Sequence, residues 1–173
     1  MKKWFIFITS LLLLSACSQP PHFDSPIYSG EALTIGIVGE PPNVREKSIS
    51  FIPLSMEDVL KKNFQNVDAV LIHKRYLKEA AKPPYADIYL QSSVPFVFIE
   101  SEKVYLAFVD RELSYEKAHQ MKSGDYFIGF YKDTYFGVGL YNHIKNEKMI
   151  QDGYSRLFAL LERAKHTGKI IVQ

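Results

Sequence analysis

The chain has 173 residues, of which 47% are hydrophobic and 14% aromatic, which is enough for one domain with a sizeable core. Its formal charge of +2 comes entirely from Lys2 and Lys3, so the remainder is neutral; this argues against a nucleic-acid-binding protein and against electrostatic binding to a membrane. The only cysteine is Cys17, which excludes a disulfide within the chain and a cysteine metal site.

The N-terminus has the organisation of an export signal. Lys2 and Lys3 precede an apolar run from Trp4 to Leu14. This run is much shorter than the roughly 20 residues that a membrane-spanning helix needs, and it has the length and flanks of a secretory signal. The small residues Ser15 and Ala16 follow, as a cleavage site requires.

The segment Leu14-Ser15-Ala16-Cys17 resembles the lipobox of bacterial lipoproteins. The resemblance implies that Cys17 receives a diacylglycerol, that residues 1–16 are removed as a signal peptide, and that the new amino group is often acylated as well. Two or more acyl chains give a stable anchor. The predicted partner of Cys17 is therefore the lipid bilayer, with the protein on the extracytoplasmic face of the cell membrane.

Residue 18 bears on which membrane holds the protein. In lipoproteins of bacteria with two membranes, an Asp after the cysteine retains the protein at the inner membrane, and this chain has Ser18 instead. An outer-membrane location therefore stays open if the source has two membranes.

Residues 17–32 contain three prolines and several small polar residues, which predicts a flexible tether before a single α/β domain over residues 33–173.

The first half of that domain alternates between strand and helix. Leu33–Val38 and Ser48–Pro53 predict strands, and Ser55 followed by Asp58 predicts the N-cap of a short helix. Val67–Ile72 and Val94–Ile99 have no polar face, which is typical of central parallel strands covered by helices.

Helical stretches are predicted between and around these strands. One runs from about Arg75 to Ala81; Pro83-Pro84 interrupts it, and Tyr85–Ser92 resumes it. The alternation predicts an open, mainly parallel α/β sheet in a three-layer arrangement.

The second half has a different pattern. Tyr105–Val109 predicts a strand, and Ser114 predicts the start of a short helix. Two aromatic runs, 126–131 and 134–141, predict an antiparallel hairpin. A long amphipathic helix is predicted from Glu147 to His166, ended by Gly168, with a final strand over residues 169–172.

No catalytic, cofactor or metal motif is found. Gly36-Ile37-Val38-Gly39 follows strand residues, but Glu-Pro-Pro comes next, so the dinucleotide-binding fingerprint is incomplete. The chain has no phosphate-binding Gly-rich loop and no Gly-x-Ser-x-Gly elbow. The histidines are scattered, and His143 with Glu147 is typical of a surface contact. The sequence therefore predicts no cofactor and no metal.

Three residues that follow predicted strands form a candidate ligand site. In open α/β sheets, ligands bind beyond the carboxyl ends of the strands. Glu40, His73 and Glu100 follow three such strands, so two carboxylates and an imidazole are expected at one rim. The alternative is that each is an ordinary solvated residue at a strand end.

The predicted hairpin is unusually aromatic. Seven of the sixteen residues from Tyr126 to Tyr141 are aromatic, interrupted by Gly129, Gly137 and Gly139. One interpretation is a stacking surface for a sugar ring or a peptide, since glycine in a strand allows close approach. The other is that the rings form the packed face of the sheet.

Leu33–Glu40 and Val67–Ile72 also resemble strands from one lobe of a periplasmic binding protein, although the 157 residues after the signal are too few for two lobes. The chain as a whole resembles small uncharacterised lipoproteins of Gram-positive bacteria.

Three hypotheses follow. The first is a lipid-anchored, non-enzymatic protein that binds a small molecule, a peptide or an envelope partner. The second is an envelope hydrolase or acid–base enzyme that uses Glu40, His73 and Glu100. The third is a structural subunit of an envelope complex, with the aromatic hairpin as its contact.

Overall fold

The computed structural model describes residues 23–171, and six strands in this range form one sheet. The strands are β1 (Leu33–Val38), β2 (Ile49–Leu54), β3 (Ala69–Ile72), β4 (Phe96–Ile99), β5 (Asp125–Tyr131) and β6 (Thr134–Gly139). Their order is β2-β1-β3-β4-β5-β6; β1 to β4 are parallel, and β5 and β6 add an antiparallel hairpin. The predicted α/β sheet, mainly parallel with an antiparallel aromatic hairpin, is confirmed.

Within residues 23–171, five α-helices lie on the two faces of the sheet. They are α1 (Met56–Leu60), α2 (Leu77–Ala80), α3 (Pro83–Gln91), α4 (Leu106–Val109) and α5 (Glu147–Thr167). Helices α1 to α4 pack on one face and α5 covers the other, which makes three layers. Because side chains alternate along a strand, Val70 and Ile72 of β3 face the first layer, while Ala69 and Leu71 face α5.

Several local predictions are confirmed at residue level. Ser55 and Asp58 form a reciprocal capping box at the start of α1. Helix α5 begins after the cap Asn146 and ends at Gly168, whose φ of 66° is the left-handed conformation that glycine favours. The helix extends one residue beyond the predicted His166, to Thr167.

The predicted strand at Tyr105–Val109 is wrong, because the segment forms the helix α4. Ala107 and Phe108 are adjacent and both are buried in the same core cluster, a placement that a strand, with its alternating faces, does not allow. The Phe108 ring stacks on the Phe98 ring with their centroids 3.7 Å apart. Packing against β4 therefore decided the conformation.

Two further predictions in the second half are wrong in the described residues. The segment after Ser114 makes a single turn, in which the N–H groups of Lys117 and Ala118 donate to the carbonyl of Ser114, and no helix follows. Residues 169–171 form no strand, and Ile170 packs against the α5 side of the core instead.

The prolines Pro83-Pro84 are the first residues of α3, which therefore begins two residues earlier than predicted. Proline is tolerated there because the first N–H groups of a helix have no partner within it.

The described part of the predicted tether is attached to the domain. Residues 23–32 form no helix or strand, but Tyr28 is buried and its hydroxyl donates to the carbonyl of Glu31 at 2.8 Å. Arg45 donates to the carbonyl of Ser25 at 3.2 Å. This part of the chain is therefore packed on the domain surface. The signal, Cys17 and the tether up to residue 22 lie outside the described residues.

The aromatic hairpin turns at Lys132-Asp133, as predicted, with Tyr131 paired to Thr134. The rings of Phe127, Phe130, Tyr131 and Phe136 are buried. Phe136 lies directly over Gly129 and leaves no room for a Cβ atom there. The rings of Phe127, Tyr131 and Phe136 belong to the core on the α5 face, whereas Phe130 lies on the opposite face beside Tyr105. The most exposed ring of the hairpin is Tyr135.

Candidate ligand site at the strand ends

The register of the parallel strands brings the three predicted residues to one edge of the sheet. Val38 is level with Ile72, and Ile72 is level with Phe98. Glu40, His73 and Glu100 therefore emerge from neighbouring strands within one or two residues of that level. The expectation that they lie at a common rim agrees with this geometry.

The turn after β1 depends on a glycine. Gly39 has a φ of 116°, and a Cβ atom there would lie 2.8 Å from the Cβ of His73. His73 in turn begins the short 3-10 turn Lys74–Tyr76, and its Nδ1 accepts the N–H of Arg75 at 3.4 Å. Only glycine allows the β1 turn to pack this closely on His73.

Glu40, His73 and Glu100 all line one cavity of about 580 Å³, which we call the strand-end cavity. Its other walls are the loop after β1, the ends of β4 and β5, and the first turns of α5. These walls are formed by Pro41, Pro42, Asn43, Ile99, Tyr126, Lys145, Asn146, Glu147, Ile150, Gln151 and Tyr154.

Glu100 is the most constrained residue of the cavity. It has a φ of 55°, which is left-handed and uncommon for a residue other than glycine, and its side chain is only 17% exposed. Its carboxylate accepts from the Tyr126 hydroxyl at 3.0 Å and from Lys74 Nζ at 3.2 Å, and it also pairs with Lys145. Strained backbone of this kind is frequent at functional sites.

The pKa of Glu100 shows the balance of these contacts. Burial raises the pKa of the carboxyl group, but hydrogen bonds from Lys145, Tyr126 and Lys74 outweigh burial and hold the pKa below its ordinary value. Glu100 is therefore an ionised carboxylate at neutral pH, suited to hold a positive charge.

Two tyrosines stand beside Glu100. Burial raises the pKa of both Tyr126 and Tyr154, and the charge of Glu100 raises it further, so both phenols stay protonated. Tyr154 is only 4% exposed, and it lines the strand-end cavity beside Tyr126.

Gln151 joins α5 to the loop after β1. Its Nε2 donates to the carbonyl of Asn43 at 2.6 Å. Its Oε1 is buried without a partner in the described part of the chain. Tyr154 and Gln151 therefore place a hydroxyl and an amide group in the wall of the cavity.

A second cavity of about 540 Å³ adjoins the first. Glu40 and His73 line both cavities, and the second is otherwise formed by residues around α1 and the 3-10 turn, including Glu57 and Arg75. Glu40 and His73 thus separate two depressions at the strand ends, whereas Glu100 belongs to the first alone.

Sequence reasoning missed several residues of the strand-end cavity, among them Tyr126, Lys145, Gln151 and Tyr154. Tyr126 lies near the start of β5, which is antiparallel to β4, so this end of β5 meets the carboxyl end of β4. The sequence predicted the hairpin but not its pairing with β4, which brings Tyr126 to the cavity. The other three depend on how α5 packs across the sheet, which no local pattern in the sequence reveals.

One group of histidine and carboxylate side chains in the described residues comes close enough to share a metal ion. It consists of Glu31, Glu162 and His166, whose ligand atoms lie within 4.8 Å of one another. Glu162 already accepts the N–H of Glu31 at 2.7 Å, and His166 pairs with Glu31 at 3.2 Å. The group lies outside the strand-end cavity and is explained by these contacts.

No helix within residues 23–171 has the length and apolar character needed to cross a membrane. Comparison with known proteins gives one match: residues 1–18 fit the family described as prokaryotic membrane lipoprotein lipid attachment site. No curated protein and no solved structure matches the chain, so the resemblances to binding-protein lobes and to Gram-positive lipoproteins have no support there. The matched segment contains the lipobox and Cys17, and it supports a bacterial lipoprotein held at a membrane, on the extracytoplasmic side, by its lipid.

Proposed function

We propose that this lipoprotein binds a small polar molecule in the strand-end cavity. The observation that carries the proposal is that Glu40, His73 and Glu100, from three separate strand ends, open onto one cavity together with the tyrosines Tyr126 and Tyr154. A lipid anchor would keep such a receptor at the membrane, where it samples molecules outside the cytoplasm.

The size and lining of the cavity support a small ligand. Its volume of about 580 Å³ falls within the roughly 300–1,000 Å³ of small-molecule sites. Its position at the carboxyl ends of parallel strands is where open α/β sheets bind ligands. It combines apolar surface from Ile99, Ile150 and Tyr154 with a few polar groups, as such sites do.

The proposal is tested by screening small molecules of all charge types against the full-length lipoprotein in detergent micelles, with ligand-observed NMR as the readout. We expect at least one compound to bind, and its affinity to fall in Tyr154→Phe and His73→Ala. Both substitutions remove a polar group from a residue that lines the cavity. His73→Ala also removes the acceptor of the Arg75 N–H, so circular dichroism of both variants accompanies the binding measurement.

Matched controls are available elsewhere in the chain. Tyr135→Phe changes a tyrosine that is 62% exposed, and His119→Ala changes an exposed histidine; neither lines the strand-end cavity. Binding that the Tyr154 and His73 variants leave unchanged, or a screen without any bound compound, would refute the proposal.

The hydrolase or acid–base enzyme is the second candidate, and the same shared cavity supports it. An acid–base enzyme needs a group whose pKa lies near the working pH. The lowered pKa of Glu100 suits a charge-stabilising role better than that of a general base. Turnover of an ester or amide substrate that is abolished in Glu40→Gln and His73→Ala would favour the enzyme over the receptor.

The structural-subunit hypothesis has less support, because four rings of the aromatic hairpin are buried within the domain. Tyr135 remains exposed, but its ring stacks on Tyr105 with the centroids 4.4 Å apart. We therefore place the function at the strand ends.

A further inference from the structure

We propose that the ligand of the strand-end cavity carries a protonated amine, and that this amine binds at Glu100 in the place that Lys145 occupies in the free protein. The inference rests on the proposed function and specifies its ligand class: small organic cations that bear a primary ammonium group. Lys145 would then compete with the ligand for Glu100, and the ligand would have to displace it.

The contacts of Lys145 define a binding position for an ammonium group. Its Nζ pairs with Glu100 Oε2 and lies 5.8 Å from the centroid of the Tyr126 ring. Glu100 Oε1 is held by the Tyr126 hydroxyl, so the carboxylate and the ring are fixed relative to each other. A carboxylate beside the face of an aromatic ring is a typical environment for an ammonium ion.

Lys145 is bound only weakly at that position. Its side chain is 55% exposed, and exposed ion pairs contribute little to stability. It is part of the exposed segment 141–146, whose residues Asn142 and His143 have left-handed φ values of 50° and 55°. When Lys145 leaves, Glu100 keeps Lys74 and Tyr126 as partners, so the carboxylate is not left unpaired.

The charge of the cavity favours a cation over an anion. Three carboxylates line it, those of Glu40, Glu100 and Glu147, whereas Lys145 is its one lining lysine and is already paired with Glu100. Displacement of Lys145 would make the lining more negative still. An anionic ligand would meet these carboxylates without a free cationic partner among the lining residues.

The lining near Glu100 extends the ligand beyond its amine. Tyr154 lines the same cavity as Glu100 and Tyr126, and its phenol stays protonated, so it can donate a hydrogen bond. A ligand with an ammonium group and a nearby hydroxyl or carbonyl oxygen therefore matches the chemistry of this lining.

The test compares amines with matched compounds that lack the charge, by calorimetry on the full-length lipoprotein in detergent. The pairs are ethanolamine with ethylene glycol, 1,5-diaminopentane with 1,5-pentanediol, and glucosamine with N-acetylglucosamine. We expect at least one amine to bind about tenfold or more tightly than its uncharged partner, because only the amine pairs with Glu100.

Two substitutions give opposite expected effects. Glu100→Gln should weaken amine binding by about tenfold or more, since it removes the anionic partner. Lys145→Gln should strengthen amine binding by about three- to tenfold, since the ligand no longer competes with the lysine. Lys61→Gln is the matched control, because Lys61 is an exposed lysine paired with Glu57 and does not line the strand-end cavity.

The outcomes separate this inference from the proposed function. Equal binding of amines and their uncharged partners, or a Lys145→Gln variant with unchanged or weaker amine binding, would overturn the ligand class. Tyr154-dependent binding of only neutral or anionic compounds would overturn it and leave the proposed function standing. If no compound of any kind binds, both fail. If circular dichroism shows that Glu100→Gln does not fold, Lys145→Gln still tests the proposal, because Lys145 is exposed.

Discussion

Glu100 and Gly39 shape the strand-end cavity through their backbones as much as through their side chains. Both have positive φ values and both directly follow a strand, where the chain must turn away from the sheet. At Gly39 the turn packs on His73, and at Glu100 it directs a carboxylate toward Lys74, Lys145 and Tyr126. The predictions at this scale concern the charge of Glu100 and the absence of a side chain at Gly39.

We predict that Lys145→Gln raises the pKa of Glu100. The hydrogen bond from Lys145 favours the ionised carboxyl group, so its loss shifts the pKa upward, toward the ordinary value. A carbon-13 NMR titration of the side-chain carboxyl group measures the change. Lys61→Gln should leave the titration of Glu100 where it is, and an unchanged midpoint in Lys145→Gln would contradict the prediction.

The same lowered pKa makes stability depend on pH. Because the folded-state pKa lies below the unfolded value of about 4.3, the stabilising contribution of Glu100 is present above that pH and is lost as the pH falls through the folded-state value. The difference in unfolding free energy between the wild type and Glu100→Gln should therefore shrink on acidification. Urea denaturation at a series of pH values measures it.

Gly39→Ala is expected to destabilise the protein by about 1–3 kcal/mol, because alanine is strained at a φ of 116° and its Cβ would press on His73. Gly139→Ala is the control, since its Cβ meets only a carboxylate oxygen of Asp125, at 3.3 Å, and should cost less than about 1 kcal/mol. Equal losses in urea denaturation would argue against this account of the β1 turn.

At the scale of elements, local sequence signals explain the conformation of some segments, and tertiary packing explains that of others. Helix α5 has the apolar stripe, the N-cap and the terminal glycine that predict a helix, and it lies where the sequence indicated. Helix α4 is only four residues long, and its composition suits a strand equally well. The stacking of Phe108 on Phe98 distinguishes the two conformations.

The helical placement of α4 predicts unequal effects for two of its residues. Phe108→Ala should cost about 3–5 kcal/mol, because Phe108 is 1% exposed and its removal leaves a cavity against β4. Leu106→Ala, at a position 39% exposed, should cost much less. Urea denaturation of both variants measures the difference, and similar losses would show that α4 does not pack on the sheet as described.

For the whole molecule, the lipid and the folded domain have separate roles. The lipid attachment site lies within residues 1–18 and outside the described residues, whereas the candidate site lies entirely in the domain. Anchoring and ligand binding should therefore be separable by mutation.

Cys17→Ser is expected to abolish lipid attachment and to move the protein from the membrane fraction to the soluble fraction, because serine lacks the thiol that carries the diacylglycerol. Mass spectrometry of the purified product and cell fractionation measure both effects. Ser18→Ala keeps the lipobox and should stay membrane-bound. A Cys17→Ser product that still carries lipid would contradict the assignment.

The sequence by itself determined the lipid attachment site, the fold class and the position of Glu40, His73 and Glu100 near strand ends. The reason is that these depend on local information: a short motif, the apolar periodicity of strands and helices, and the rule that carboxyl ends of parallel strands share an edge. Glu40, His73 and Glu100 could be named because each follows a recognisable strand within two residues.

Only the tertiary structure decided how the cavity is completed and what charge it presents. Lys145, Gln151 and Tyr154 reach it because the segment before α5 and the first turns of α5 line the cavity, and the ion pair of Lys145 with Glu100 spans 45 positions of the chain. On the opposite face of the sheet, the packing of Phe108 on Phe98 explains why the segment Tyr105–Val109, predicted as a strand, forms the helix α4. Contacts between distant residues depend on packing free energy summed over the whole core, which local sequence patterns do not contain.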